Sequence, residues 1–146
     1  MDTEKFLLFL QTFDRIVKNI KRIEMGYMKD FGLRSVHTGC ILYMDGKIDG
    51  VTVTQLAKES DSDKALISRA IKELCVGGFI QEIDGSCKNY NKRYILSDRG
   101  REVIGGLKTV ISKYVIRARE NIDPDDMKIF YSVLSEFERN IAQITK

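Results

Sequence analysis

Residues 51–96 constrain the fold more than any other stretch of the chain. They read as two short helices joined by a tight turn, followed by two strand-like runs around a polar loop. Thr52 with Gln55 three residues later is a capping-box pattern that starts a helix over 53–60. A second helix over 63–76 stops at Gly77-Gly78, where a glycine takes the left-handed C-cap conformation. Residues 79–83 and 93–96 have strand character and flank the loop 84–92.

The second helix has two unlike faces. At 3.6 residues per turn, Ile67, Ala70, Ile71 and Leu74 fall on one side. Ala65, Ser68, Arg69 and Lys72 fall on the other, with Lys64 at the N-terminal shoulder. A helix with an apolar back and a small, hydroxylated, basic front suits a DNA major groove. Arginine and lysine bond phosphate or guanine there, serine bonds either, and alanine permits close approach. An ordinary amphipathic surface helix has the same outline, so the neighbouring residues decide. The loop carries Lys88, Tyr90 and Lys92, and Arg93 follows it. Residues 86–101 hold five cations against Asp98 alone, although the net charge of the whole chain is only +3. Charge gathered in this way attracts a polyanion, whereas the same charge dispersed would not. The candidate DNA contacts are therefore Lys64, Ala65, Ser68, Arg69 and Lys72 on the helix, and Lys88, Tyr90, Lys92 and Arg93 on the loop.

Both chain ends carry apolar helical seams. Phe6, Phe9, Phe13, Ile16, Ile20, Ile23 and Tyr27 repeat at alternating spacings of three and four, widened by Leu7, Leu10 and Val17. Gly26 and Gly32 weaken and then end this helix. Residues 34–44 read as a further short helix with Val36, Cys40, Ile41 and Met44 inside. Asp45-Gly46 and Asp49-Gly50 are turns leading to Val51, which is placed to pair with the later hairpin. Ser97 caps a long helix carrying Val103, Leu107, Val110 and Tyr114, interrupted by Gly105-Gly106, where close packing or a bend is expected. Asp123-Pro124 starts the last helix, with a seam of Met127, Phe130, Leu134, Phe137, Ile141 and Ile144. Such seams are buried within one domain or between two copies. The expected fold is mainly α with a small antiparallel β-wing (α+β). Residues 1–33 and 101–146 are expected to form a helical dimerisation region, and 34–100 a winged helix-turn-helix, all in one continuous fold.

No apolar run approaches the ~20 residues of a membrane span, and Asp2 and Glu4 stand where a signal peptide has positive charge. The three cysteines are widely spaced and lack a CxxC, which suits a reducing compartment. A cytoplasmic protein with no membrane partner is expected. The lone His37 has no evident catalytic partner, and no phosphate-binding glycine loop or nucleophile motif is present, so an enzyme is not expected. No cofactor and no metal are expected: His37 and Cys40 share a helix face but supply too few ligands.

The order of these elements and three runs of sequence resemble the MarR family of winged helix-turn-helix transcription regulators, over essentially the whole chain. The first run is Thr52-Val-Thr-Gln-Leu-Ala-Lys followed by Asp63-Lys-Ala-Leu-Ile-Ser-Arg-Ala-Ile-Lys-Glu-Leu. The others are Gly78-Phe-Ile and Leu96-Ser-Asp-Arg-Gly. The resemblance implies a homodimer that places two recognition helices in successive major grooves of a near-palindromic operator, with the wings on flanking DNA. It makes Ser68-Arg69 the recognition pair and puts Arg93 near the family's wing arginine. It also implies a regulator, by expectation a repressor, released by a small-molecule effector. The effector pocket is expected where the long helices meet the winged module, lined by Phe13, Val17 and Tyr43.

The sequence departs from the family at three places. The family's wing pattern Asp-x-Arg-x-x-Arg is replaced by Lys88-Asn-Tyr-Asn-Lys-Arg93, Arg34 stands at a helix-capping position, and His37 stands where glutamine is common. Two other readings are weighed. A winged helix can bind protein instead of DNA. A redox sensor would use Cys87, beside Lys88, with Cys40 and Cys75 as core packing.

Overall fold

The computed structural model describes residues 2–83 and 92–145. They divide into two compact units, residues 1–112 and 113–146. The elements run α1 (Thr3–Met28), a 3-10 turn (Lys29–Phe31), α2 (Ser35–Met44), α3 (Val53–Glu59), α4 (Lys64–Val76), β1 (Ile80–Glu82), β2 (Tyr94–Leu96), α5 (Asp98–Ala118) and α6 (Pro124–Ile144). This is the expected mainly helical fold with a small antiparallel wing.

Local chemistry accounts for most element ends. Asp2 accepts the Glu4 N–H at 3.2 Å and starts α1. Gly32, at φ 70°, closes the 3-10 turn that follows it. The Thr52–Gln55 capping box forms as the sequence predicts: the Gln55 amide oxygen accepts the Thr52 N–H at 2.9 Å, and Thr52 Oγ1 accepts the Gln55 N–H at 3.2 Å. Asp63 caps α4, and Asp123 caps α6 by accepting the Asp125 N–H at 2.7 Å, with Pro124 in the first turn.

α4 ends in a Schellman motif. Gly78 takes φ 75°, its N–H donates to Cys75 O, and the Phe79 N–H donates to Leu74 O, both at 3.0 Å. Leu74 and Phe79 are both buried beside it.

The core of the first unit joins Met28 from the end of α1, Cys40, Ile41 and Met44 from α2, and Leu56 from α3. Ile67, Ala70, Ile71 and Leu74 of α4 complete it together with Val103, Ile104 and Leu107 of α5. Each fully buried aliphatic side chain contributes roughly 1.5–3 kcal/mol of transfer free energy. The strands are shorter than the sequence pattern suggests. β1 and β2 pair antiparallel with Ile80 opposite Leu96 and Glu82 opposite Tyr94. Val51 pairs with the other edge of β2 through two hydrogen bonds to Tyr94, both 2.9 Å, as a bridge rather than a strand.

The wing and α5 are attached at Phe79. Its carbonyl accepts the Ser97 N–H at 3.0 Å, while Ser97 Oγ donates to Gly78 O at 2.6 Å and accepts the Gly100 N–H at 3.1 Å. A Cβ on Gly100 would lie 2.0 Å from the Phe79 carbonyl oxygen. Further along α5, a Cβ on Gly106 would lie 1.9 Å from the Tyr27 hydroxyl, so this glycine serves close packing; Gly105 beside it faces open space.

In the second unit, α5 ends before a turn with Asn121 at φ 65°, and α6 follows. α6 has no buried residue, and only Met127, Leu134 and Phe137 of its seam are half-buried.

Two alanine substitutions test the packing account. Gly100→Ala should destabilise the protein by about 3 kcal/mol or more, because the new methyl meets backbone. Gly105→Ala should stabilise it by about 0.5–1 kcal/mol through helix propensity alone. Chemical denaturation of both variants checks the opposite signs.

Candidate nucleic-acid interface

α4 stands on the module as its sequence pattern requires. Ile67, Ala70, Ile71 and Leu74 are at most 2% exposed. Lys64, Ala65, Arg69 and Lys72 are exposed, and Ser68 is half-buried between them. The turn before α4 is tight because Asp61 adopts φ 46° and the Ser62 N–H donates to Ala57 O at 3.0 Å. Among the described residues, Lys64, Arg69 and Lys72 enter no ion pair. Among the described residues, three cations and a hydroxyl thus project from α4 without a hydrogen-bond partner for their side chains.

The cations after the loop are differently disposed. Lys92 bonds Glu82 at 2.9 Å across the base of the wing, and this bond is the main reason its ammonium is held above its ordinary pKa. Arg93 donates from Nε to Asp49 O and from Nη2 to Gly50 O, each at 2.8 Å. Arg99 donates to Gly77 O at 2.9 Å and stacks over the Phe79 ring, 4.4 Å from its centroid. Arg101 donates to Leu96 O at 2.7 Å and pairs with Asp98. Four of the five cations that make this stretch basic are therefore bonded within the fold. The fifth, Lys88, lies outside the described residues, as do Tyr90 and Cys87. The structure brings the helix candidates together on one face and holds Lys92 and Arg93 at the root of the wing.

Sequence reasoning missed a polar cluster on the flank of α4. Glu73 Oε2 lies 2.6 Å from both Arg34 Nη2 and His37 Nε2. His37 Nδ1 accepts the Arg34 N–H at 3.0 Å, completing half of a capping box at the start of α2. A ring that accepts at Nδ1 turns Nε2 toward the carboxylate as its donor. Both nitrogens are engaged, so no lone pair faces outward toward a metal. The only advance signal is residue type: histidine at N3 of a helix otherwise lacking a side-chain cap.

A cleft of about 480 Å3 opens behind α4, lined by Lys21 of α1, by Val36, Gly39, Cys40 and Tyr43 of α2, and by Leu66 of α4, among others. Of the three residues expected to line a pocket, Tyr43 does so. Phe13 and Val17 are not among its lining residues, and Lys21, one turn beyond Val17, reaches it instead. Burial pushes the Cys40 thiol up to about 11, which makes it a poor nucleophile. Cys75, expected in the core, is exposed: it follows Leu74 by one residue and so turns about 100° away from the buried face. Its thiol is also raised, first by partial burial and then by the Glu82 carboxylate.

The Arg34 hydrogen bond first, and the His37 bond second, hold the Glu73 carboxyl below its ordinary value of 4.5. A carboxylate depressed in the folded state adds stability that is fully present above its unfolded pKa and is lost as pH falls through the folded one. The melting temperature of wild type should exceed that of Glu73→Gln by a constant margin above about pH 5.5, and the margin should close as the solution is acidified below that. Thermal melts at stepped pH check this, and a margin that persists unchanged in acid contradicts it.

No family model and no curated protein matches the sequence. Solved structures do match the fold. A MarR transcriptional regulator from Methanosarcina mazei superposes with a TM-score of 0.79 at 16% identity, covering 99% of this chain and 94% of that one. A MarR family protein from Bacillus stearothermophilus gives 0.81 at 10% identity over 97% and 99%. A Staphylococcus aureus MarR in complex with salicylate and kanamycin gives 0.80 at 15% identity over 96% and 94%. At these identities the likeness is one of fold, and it extends over nearly the whole chain.

Proposed function

We propose that this chain is a MarR-type transcription regulator that binds double-stranded DNA in a sequence-specific way as a homodimer. The observation that carries this reading is the uncommitted basic face of α4, rigidly backed by the core. Arg69 and Ser68 are the base-reading candidates, with Lys64 and Lys72 on phosphates and Ala65 allowing close approach. Lys88 and Tyr90 extend the contact through the wing, whose root is held by Lys92 and Arg93. The regulators of like fold support the assignment, and the regulator is taken to be a repressor of a pseudo-palindromic operator.

Dimerisation is supported by what each chain end leaves uncovered. On α1, Leu7, Leu10, Phe13, Ile16 and Ile20 are exposed, and on α6 so are Phe130, Ile141 and Ile144. Contiguous apolar stripes of this kind mark an interface. In this reading residues 1–33 and 101–146 form the dimerisation region and 34–100 the DNA-binding region. The cleft behind α4 is the place for a small-molecule effector. The Staphylococcus aureus protein of the same fold was determined with salicylate, and Lys21 would give such an anion a partner here.

The test is fluorescence anisotropy on DNA from upstream of the protein's own gene, over a salt series. Wild type should sediment as a dimer and lose affinity steeply with salt, as counterion release requires. Arg69→Ala should weaken the preferred sequence by about 1–3 kcal/mol, and Lys72→Ala should weaken all sequences alike and lower the salt slope. A monomer, or a protein that ignores duplex DNA at low salt, overturns the reading.

A further inference from the structure

The cluster of Arg34, His37 and Glu73 includes no residue of the basic face. It joins two elements, the first turn of α2 and the flank of α4, residues 36 and 39 positions apart in sequence. Both helices also bury apolar side chains in the common core, Cys40 and Ile41 from α2 and Ile67, Ile71 and Leu74 from α4. Apolar contact is non-directional, so it fixes the distance between two helices better than the roll of either about its axis. Charge-assisted hydrogen bonds are short and directional. Glu73 Oε2 receives two of them, each 2.6 Å long, one from a ring whose side chain is 4% exposed. The ring itself is pinned at its other nitrogen by the Arg34 backbone N–H. The chain Arg34 N–H, His37, Glu73 is therefore a rigid strut that ends on α4 one residue beyond Lys72 and one turn beyond Arg69.

We propose that Glu73, held by His37 and Arg34, is a positioning residue that sets the roll of α4 and with it the aim of Ser68 and Arg69 at base edges. The proposal rests on the reading of α4 as the helix that enters the major groove. Base contacts need a side chain aimed within the narrow tolerance of a bidentate bond, whereas phosphate contacts tolerate a rotated helix because lysine acts as a point charge. The strut therefore controls discrimination between sequences more than binding to DNA as such.

Electrostatics alone predicts the opposite. Removing the Glu73 negative charge from a DNA-facing helix strengthens binding to any duplex. Position 37 provides a conservative control within the same molecule. Gln55 occupies the equivalent N3 position of α3, and its amide oxygen accepts the N-cap N–H at 2.9 Å. A glutamine at 37 can do likewise and still donate its amide N–H to Glu73. A leucine of similar size can do neither.

The experiment compares wild type, Glu73→Ala, His37→Gln and His37→Leu. Each is titrated on the DNA that wild type prefers and on random-sequence duplex of the same length, with circular dichroism confirming that each is folded. Glu73→Ala and His37→Leu should bind the preferred DNA about tenfold more weakly, keep or raise their affinity for random duplex, and retain the wild-type salt slope. His37→Gln should stay within about twofold of wild type on both DNAs. Glu73 is half-exposed, so its alanine variant decides the matter if His37→Leu does not fold. A Glu73→Ala protein that matches wild type on the preferred DNA, or loses equally on both DNAs, overturns the strut while leaving the DNA reading intact. If wild type binds no duplex, the DNA reading fails and takes the strut with it.

Discussion

The fold turns on the carbonyl group of Phe79. It sits at the end of a helix that Gly78 closes in the left-handed region, and it points at the start of α5, where Gly100 has no side chain to block it. Ser97 fills the gap on both sides, donating its N–H to Phe79 O and its hydroxyl to Gly78 O. Three chain segments meet at this one peptide: the C-terminal end of α4, the first strand of the wing, and the N-terminal end of α5. Such close backbone approach is available only where glycine removes the Cβ. It makes the direction of α4 a property of α5, so α4 is held at its C-terminal end by backbone and at its flank by Glu73.

Charge is divided between two tasks. Arg93, Arg99 and Arg101 each donate to a backbone carbonyl: Asp49 and Gly50, Gly77, and Leu96. These carbonyls belong to turns and element ends, where no ladder partner is available and an unmet acceptor is costly. Arginine suits that work because its planar fork donates in fixed directions and stays charged. Lys64, Arg69 and Lys72 do no such work. The basic field near the wing persists because a bonded arginine keeps its charge, whereas among the described residues the cations of α4 enter no ion pair.

Periodicity carries far in this chain and then stops. The buried and exposed faces of α4 follow from spacing because both come from one helix turning at a constant 100° per residue. The capping box of α3, the closing glycine of α4 and the Ser97 cap were legible for the same reason: each is a bond between residues at most a few positions apart. The Glu73–His37 bond spans 36 positions and depends on how two helices cross, which local pattern does not encode. The backbone bonds of Arg93, Arg99 and Arg101 were not legible, because a carbonyl's direction leaves no mark on composition. Phe13 and Val17 lie on a seam that spacing identifies, but spacing does not say what reaches the cleft, and α1 lines it with Lys21, which is outside the seam. Cys75 looked like core by its residue type, yet helix phase turns it outward.

α1 shows what this division implies for coupling. From Thr3 to its last turns it has no buried residue; Met28 alone is fully enclosed, beside Tyr27, whose hydroxyl meets the missing side chain of Gly106. A long helix with an exposed apolar stripe is thus joined to the winged module through its C-terminal turns, where Met25 also accepts the Thr38 hydroxyl at 4.0 Å. Apolar burial between copies contributes free energy in proportion to area but transmits motion only where the packing is tight. The Tyr27–Met28 turn and Lys21, which lines the cleft two turns before it, are therefore places where α1 meets the module. Residues of α2 line the same cleft, and α2 also carries His37. The joint between the long helix and the module that carries α4 is thus made by a handful of residues.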